Sequence, residues 1–211
     1  MKMQAHIDLL KPNSGTCHIL DFLKGVKRGS VLLVDDFKID PSLTYTNIRS
    51  ILAYLCRAGI LIRLGFGIYC YPKYDKNRRP IFPSVYSVIT RIAKRDGYDF
   101  CPFGEYAEYL MELRDEIPKT VLCYNNQKSK SFKLENGISV IIRPGYKYFK
   151  PHIKSIQLRT LVAYIRSKHI DAITLTDRIA LINFFNGINS VDLESDLDML
   201  PLEIKEFLEI D

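Results

Sequence analysis

One segment of the sequence concentrates side chains that can donate hydrogen bonds to a polyanion. Tyr45, Thr46, Asn47 and Arg49 lie close together where apolar residues recur at helical spacing. Short polar side chains and arginine on a helix can recognise base edges, and nearby cations can neutralise phosphates. We expect Thr46, Asn47 and Arg49 to contact bases and Tyr45 to hold the nucleic-acid backbone. The basic residues expected to support them downstream are Arg63, Lys73, Lys76, Arg78 and Arg79.

These side chains need a helix that buries its opposite face. The pattern predicts a helix over residues 44–58, because its apolar residues fall at i, i+3, i+4 and i+7. They are Ile48, Ile51, Leu52 and Leu55. The stripe predicted on the solvent side consists of Thr46, Arg49, Ser50, Ala53 and Arg57. An amphipathic helix of this kind is also what any surface helix looks like, so the pattern alone does not require a ligand.

The neighbouring segments suggest how this helix is held. Residues 18–27 predict a helix, 30–34 a short strand and 35–37 a single helical turn. After the helix, the β-prone runs 60–64 and 68–71 flank a glycine-bearing turn and predict a hairpin. Helix, strand, helical turn, helix and hairpin is the order of a winged helix-turn-helix. That arrangement would present the second long helix to the major groove and the hairpin to the DNA backbone.

No other group of residues indicates a catalytic or metal site. The five cysteines and four histidines are scattered, without the paired ligands at short spacing typical of a structural zinc site. Asp35 and Asp36 are adjacent, and we expect them to cap the helical turn that they begin. Nucleotide-binding and nucleophile-elbow motifs are absent. We therefore predict no enzymatic activity, no metal and no cofactor.

The basic charge belongs to the front of the chain. Residues 1–80 hold 13 Lys and Arg against 6 acidic residues, whereas residues 81–211 hold 17 against 18. A basic front part fits a polyanionic partner, and the acidic stretch 192–211 does not. The sequence has no apolar run near the ~18 residues of a membrane span and no recognisable secretory signal. We therefore expect a cytoplasmic protein with no membrane partner.

The segment 71–83 predicts a boundary between two domains. Its three prolines and its charges, without an apolar period, predict neither helix nor strand through it. We expect a DNA-binding domain over residues 1–80 and a second domain over residues 81–211. The expected fold class is α+β, with an N-terminal winged helix-turn-helix followed by a mixed α+β domain with a helical C-terminal region.

The second part predicts a helix over 84–95 and a small antiparallel sheet from strands near 120–124, 131–134 and 138–143. Helices follow residue 151, one of them with an apolar stripe of Ile179, Ile182 and Phe185. The aromatic and basic residues 146–150 allow two interpretations. They can stack on single-stranded bases, or they can form the edge of a core.

The combined pattern resembles the AbiEi-type antitoxins of type IV toxin–antitoxin systems. The resemblance covers roughly residues 30–145 and is strongest in the helix 47–55 and the Gly-x-Gly-x-Tyr turn at 65–69. It continues through Cys101-Pro102-Phe103-Gly104, but Met111 to Glu116 departs from the family's pattern. The resemblance implies a regulator that represses its own promoter. It also implies an antitoxin acting against a nucleotidyltransferase-like toxin without a tight complex.

Two functions from different classes follow. The first is a transcriptional regulator that binds the double-stranded DNA of its own promoter as an autorepressing antitoxin. The alternative is a protein-interaction module that binds a toxin or other partner without sequence-specific DNA binding. An enzyme acting on nucleic acid is a third hypothesis.

Overall fold

The computed structural model describes residues 14–145, 152–189, 191 and 193–210. It is an α+β structure, and it divides into two compact units between Arg95 and Asp96. The expected α+β class is therefore confirmed.

The first unit begins with helix α1 (Ser14–Lys24), followed by strand β1 (Val31–Leu33) and a 3-10 turn (Val34–Phe37). Helix α2 (Tyr45–Arg57) comes next. A hairpin of strands β2 (Ile62–Gly65) and β3 (Ile68–Cys70) follows. The predicted helices, strand and hairpin are all present, with ends that differ by a few residues.

A three-stranded antiparallel sheet joins these elements in the order β1-β3-β2. Tyr69 of the central strand β3 lies opposite Leu32 of β1 on one side and opposite Arg63 of β2 on the other. Helix α2 packs on the core of this unit through the predicted stripe. Its buried residues are Ile48, Ile51, Leu52 and Leu55. The apolar periodicity therefore identified the inner face of α2 correctly.

The segment after β3 is more ordered than the sequence suggested. Strands β4 (Lys73–Tyr74) and β5 (Pro80–Ile81) form a short antiparallel hairpin, so the expectation of no strand through 71–83 was wrong. The carboxylate of Asp75 accepts the backbone N–H of Arg79 at 2.8 Å and closes the turn. Proline is compatible with such a short edge strand, because it lacks only one ladder donor.

Helix α3 (Val85–Asp96) closes the first unit. The division at residue 95 lies about fifteen residues beyond the boundary that the prolines suggested. Two ion pairs lie within the first unit as divided here: Arg91 binds Asp36, and Arg95 binds Asp35 with a distance of 3.3 Å. These contacts join α3 to the 3-10 turn, and the linker composition gives no sign of them.

The second unit contains a four-stranded sheet in the order β6-β7-β9-β8. Helix α4 (Glu105–Leu110) follows its first strand. The strands of this sheet are β6 (Phe100–Phe103), β7 (Thr120–Asn125), β8 (Lys130–Lys133) and β9 (Ser139–Pro144). The sheet is mixed, because β7 and β9 are parallel, so the expected antiparallel sheet was wrong on this point. Although β8 follows β7 in sequence, it pairs with the far side of β9, and a short connection therefore does not imply neighbouring strands.

Every element described after β9 is helical. Helix α5 (Ile156–Lys168) is followed by a 3-10 turn (Ile170–Ala172) and by α6 (Leu175–Asn186). The last helices are α7 (Leu193–Leu197) and α8 (Leu202–Phe207). None of the helices in the described part of the chain has the length and apolarity to cross a membrane.

The apolar stripe predicted on α6 is not the buried face of this helix, so that prediction was wrong. Ile179 is 54% exposed, and the buried residue of this helix is Leu181. Leu181 belongs to the core cluster that also contains Leu158 and Ile204. Apolar residues lie all around α6, so its periodicity does not identify one buried side.

Candidate nucleic-acid interface

Helix α2 begins at a side-chain cap. The hydroxyl oxygen of Thr44 accepts the backbone N–H of Asn47 at 3.2 Å, which satisfies one of the free donors of the first helical turn. The cap and the buried stripe together decide which side chains face outward. Thr46, Asn47 and Arg49 are exposed on the first turns of the helix. The predicted outer face is therefore confirmed for these three residues.

Arg49 has aromatic neighbours on two elements. Its guanidinium carbon lies 4.5 Å from the centre of the Tyr45 ring, one turn earlier on α2. It also lies 5.1 Å from the centre of the Phe66 ring, in the turn between β2 and β3. Both distances are in the range of cation–π attraction. The structure thus brings Tyr45 and Arg49 together and adds Phe66, which was not among the residues predicted from the sequence.

A second cation approaches the same tyrosine. The ammonium nitrogen of Lys38 lies 5.2 Å from the centre of the Tyr45 ring and 2.9 Å from a carboxylate oxygen of Asp35. Sequence reasoning missed Lys38 because it lies in an irregular loop, where no periodicity assigns a direction. The exposure of Phe66 could have been predicted, because a single aromatic residue between two glycines of a turn has few apolar neighbours to pack against.

Arg63 lies in β2, as predicted, and its side chain is exposed. Its Nε donates to the carbonyl oxygen of Gly65 at 3.3 Å, which holds the side chain beside the hairpin turn. Burial raises the pKa of Tyr69, and the nearby positive charges of Arg63 and Arg49 act in the opposite direction. Tyr69 therefore remains a neutral phenol, and the positive charges near it belong to α2 and β2.

The remaining predicted cations lie on the β4–β5 hairpin. Lys73, Lys76, Arg78 and Arg79 are all exposed. This hairpin is fixed at its base, because the backbone N–H of Gly29 donates to the carbonyl of Tyr71 at 2.6 Å. The hydroxyl of Tyr74 also lies 3.5 Å from the carbonyl oxygen of Gly59, just beyond the end of α2. The hairpin is thus attached near the C-terminal end of α2.

The carboxylates described in the first unit, from residue 14 onward, do not neutralise these cations. The aspartates between residues 14 and 95 accept hydrogen bonds or ion pairs from other groups. These aspartates are Asp21, Asp35, Asp36, Asp40 and Asp75. Six side chains of this surface have no ion pair or hydrogen bond within the described chain. They are those of Arg49, Arg57, Lys73, Lys76, Arg78 and Arg79. Their donors are available to an external anion.

The other candidate groups have structural roles. One carboxylate oxygen of Asp36 accepts the backbone N–H of Leu33 at 2.7 Å, which confirms the expected capping of the 3-10 turn. Cys70, Cys101 and Cys123 are buried, and burial raises the pKa of Cys101 to about 12. Among the described residues no cluster of three or more His, Cys, Asp or Glu side chains could hold a metal ion. The aromatic and basic residues 146–150 lie outside the described part of the chain.

The fold and this surface define an α+β protein of two units whose first unit exposes a basic helix and hairpin. Residues 18–143 match the model of a family of unknown function, DUF6088, and this stretch is more than half of the chain. The protein belongs to that family. The match includes α2 and both hairpins of the first unit and ends within β9, before the helical region. No curated protein matches the chain.

Proposed function

We propose that the protein is a sequence-specific DNA-binding regulator of transcription whose first unit is a winged helix-turn-helix. The order of α1, β1, the 3-10 turn, α2, β2 and β3 supports this proposal. The strand order β1-β3-β2 also agrees with a winged helix, in which the last strand of the hairpin pairs with the first strand. In such a fold α2 would be the helix that enters the major groove.

The observation that carries the proposal is the set of available cations on α2 and the β4–β5 hairpin. Arg49, Lys73 and Arg79 are exposed, and no aspartate of the described first unit neutralises their side chains. A solvated surface of this kind attracts phosphates and releases their counterions. The outward-facing Thr46 and Asn47 add short donors and acceptors, which is the chemistry needed at base edges.

The residues would then divide by role. Thr46, Asn47 and Arg49 would contact bases, while the hairpin cations Lys73 and Arg79 would contact phosphates and position the protein on the duplex. Arg63 would approach the DNA backbone from the edge of the β2–β3 hairpin. Phosphate contacts alone would give affinity without sequence preference, so specificity depends on α2.

The biological setting is proposed from the resemblance to AbiEi-type antitoxins. The protein would act in the cytoplasm, repress its own promoter and counteract a nucleotidyltransferase-like toxin. In this proposal the second unit, with its mixed sheet and C-terminal helices, would carry the antitoxin activity. Expressing the adjacent gene with and without this protein tests that part, because an antitoxin restores growth that its toxin arrests.

DNA binding is tested by titrating the purified protein with its own promoter duplex and with a scrambled duplex of equal length, at several salt concentrations. A sequence-specific regulator should prefer the promoter by ~10³-fold or more. Equal affinities for the two duplexes, both falling with added salt, would contradict the proposal and leave only a basic surface.

A protein-interaction module is the second candidate, and exposed apolar residues of the C-terminal helices favour it. Leu175 and Leu202 are 74% and 71% exposed, and Ile179 lies one turn after Leu175 on α6. Acidic side chains, including Glu203 and Glu206, are exposed near Leu202 on α8. Co-purification of the adjacent gene product, lost on Leu175→Ser with Ile179→Ser, together with equal affinity for both duplexes, would favour this function.

A further inference from the structure

Arg49 lies against two aromatic rings and keeps its hydrogen-bond donors for an external ligand. Its guanidinium lies over the rings of Tyr45 and Phe66, at 4.5 and 5.1 Å from their centres. No described residue accepts a hydrogen bond from Arg49 or forms an ion pair with it. A cation over an aromatic face is attracted through the ring quadrupole. Its N–H donors lie in the guanidinium plane, so ring contacts do not consume them.

Phe66 is placed by the backbone of its turn. Gly67, the next residue, has a φ of 71°, a conformation that favours glycine. A Cβ on Gly67 would lie 3.4 Å from a methyl group of Val34, and the Gly67 carbonyl accepts the Val34 N–H at 3.0 Å. The turn is therefore fixed against the 3-10 turn. Phe66 nevertheless remains 73% exposed, so its contact with Arg49 does not come from burial in the core.

Lys38 provides an internal comparison. It also lies over the Tyr45 ring, but Asp35 neutralises its charge at 2.9 Å. Arg49 has the same aromatic neighbour without a carboxylate. The planar fork of a guanidinium matches two acceptors that lie side by side in one plane. Guanine offers such a pair, O6 and N7, in the major groove, and a phosphate offers another through two of its oxygens.

We propose that Tyr45 and Phe66 orient Arg49 as a fork that recognises one guanine in the major groove for each bound chain. This inference rests on the proposed DNA-binding function and specifies its base. The position of Arg49 on the exposed face of α2, beside Thr46 and Ser50, favours a base over a phosphate. Phe66 is a positioning residue, because it acts through Arg49.

The test begins with selection of bound duplexes from a random library. Each guanine of the enriched site is then replaced by 7-deazaguanine, which pairs normally but lacks the N7 acceptor. For the wild-type protein, one guanine should show a loss of affinity of roughly 10-fold or more, within the range of one base contact. Arg49→Lys keeps the charge and loses the fork, so this variant should respond little to the same replacement.

The aromatic contribution is tested with matched variants. Phe66→Leu keeps an apolar side chain without a ring face and should also lose most of the sensitivity to 7-deazaguanine. Phe66→Tyr and Tyr45→Phe keep the rings and should retain it. Arg143→Lys changes an exposed arginine of β9, outside the proposed interface, and should leave it unchanged. All of these side chains are at least partly exposed, so thermal unfolding of each variant should remain close to that of the wild type.

The outcomes separate the inference from the function on which it rests. Specific binding in which no guanine depends on Arg49 would overturn the inference and leave DNA recognition intact. Equal loss of affinity for every duplex with Arg49→Gln, which removes the charge, together with a smaller salt dependence, would assign Arg49 to a phosphate and also overturn it. Failure to enrich any sequence would overturn both the inference and the proposed function.

Discussion

Arg91 of helix α3 donates a hydrogen bond to the carboxylate of Asp36, fifty-five residues earlier in the chain. The same carboxylate also accepts the backbone N–H of Leu33, so Asp36 joins two segments and caps the 3-10 turn. Both side chains of the pair are largely shielded, with 30% and 20% of their surfaces exposed. This pair ties α3 to the elements that hold α2.

Loss of this carboxylate should destabilise the first unit. Asp36→Ala removes a capping bond and leaves the Arg91 guanidinium without its acceptor. We expect the free energy of unfolding to fall by about 1–3 kcal/mol, the usual cost of losing hydrogen bonds to a charged group. Urea denaturation followed by circular dichroism measures the change. Asp21→Ala, which removes an exposed pair with Lys24, is the control and should have little effect. Equal losses in both variants would contradict the role of Asp36.

The hairpin cations should contribute to DNA affinity without contributing to sequence preference. Replacing Arg78 and Arg79 together by Gln should weaken binding to promoter and scrambled duplexes by similar factors. The slope of log affinity against log salt should become smaller by about 2, since each phosphate contact adds ~0.9 to it. Fluorescence anisotropy at several salt concentrations measures this. Lys24→Gln, whose cation is paired with Asp21, should leave the slope unchanged. A loss confined to the promoter duplex would assign the hairpin to base recognition.

The ion pair between Asp35 and Lys38 should make stability depend on pH at the acidic end. The hydrogen bond from Lys38 lowers the pKa of Asp35, with a smaller contribution from Arg95. Because the folded-state pKa is below the ordinary value of ~3.9, the ionised carboxylate stabilises the fold fully above that pH. This contribution is lost as the pH falls through the folded-state pKa.

Asp35→Asn should therefore lower the unfolding midpoint near pH 7 and reduce the difference from wild type as the pH falls below ~3.9. Thermal unfolding at a series of pH values between neutral and strongly acidic measures both effects. Asp115→Asn changes an exposed aspartate with no ion pair among the described residues and should follow the wild-type curve. A constant difference between Asp35→Asn and wild type at every pH would exclude the proposed linkage.

Replacement of Arg159, a buried charged residue of the second unit, should be strongly destabilising. Its side chain is 1% exposed and donates to the carbonyl oxygens of Ile153, at 2.9 Å from Nε, and of Phe100, at 3.1 Å from Nη1. Arg159→Leu leaves these buried acceptors unpaired and should lower the free energy of unfolding by about 2–4 kcal/mol.

Amide hydrogen exchange can locate this effect. Protection should fall in α5 and β6, which Arg159 connects, more than in α2 of the first unit. Arg143→Leu is the control, because Arg143 is exposed on β9. Unchanged protection in α5 after Arg159→Leu would show that these hydrogen bonds contribute little.

The sequence by itself determined the inside and the outside of the main elements of the first unit. Ile48, Ile51 and Leu55 predicted the buried face of α2, and Thr46 and Arg49 predicted its exposed face. This succeeds because a helix repeats every 3.6 residues, so that burial follows from spacing alone. The excess of basic residues in the first part of the chain over the second was likewise evident from the sequence.

Only the tertiary structure decided which distant segments meet. It placed Phe66 against Arg49, joined Arg91 to Asp36 and set β9 between β7 and β8. It also buried Arg159, although arginine is usually a surface residue. Local periodicity assigns a side chain to a face of its own element but carries no information about its partner on another element. Pairing across the chain depends on packing and on the satisfaction of buried donors and acceptors, which are properties of the assembled fold.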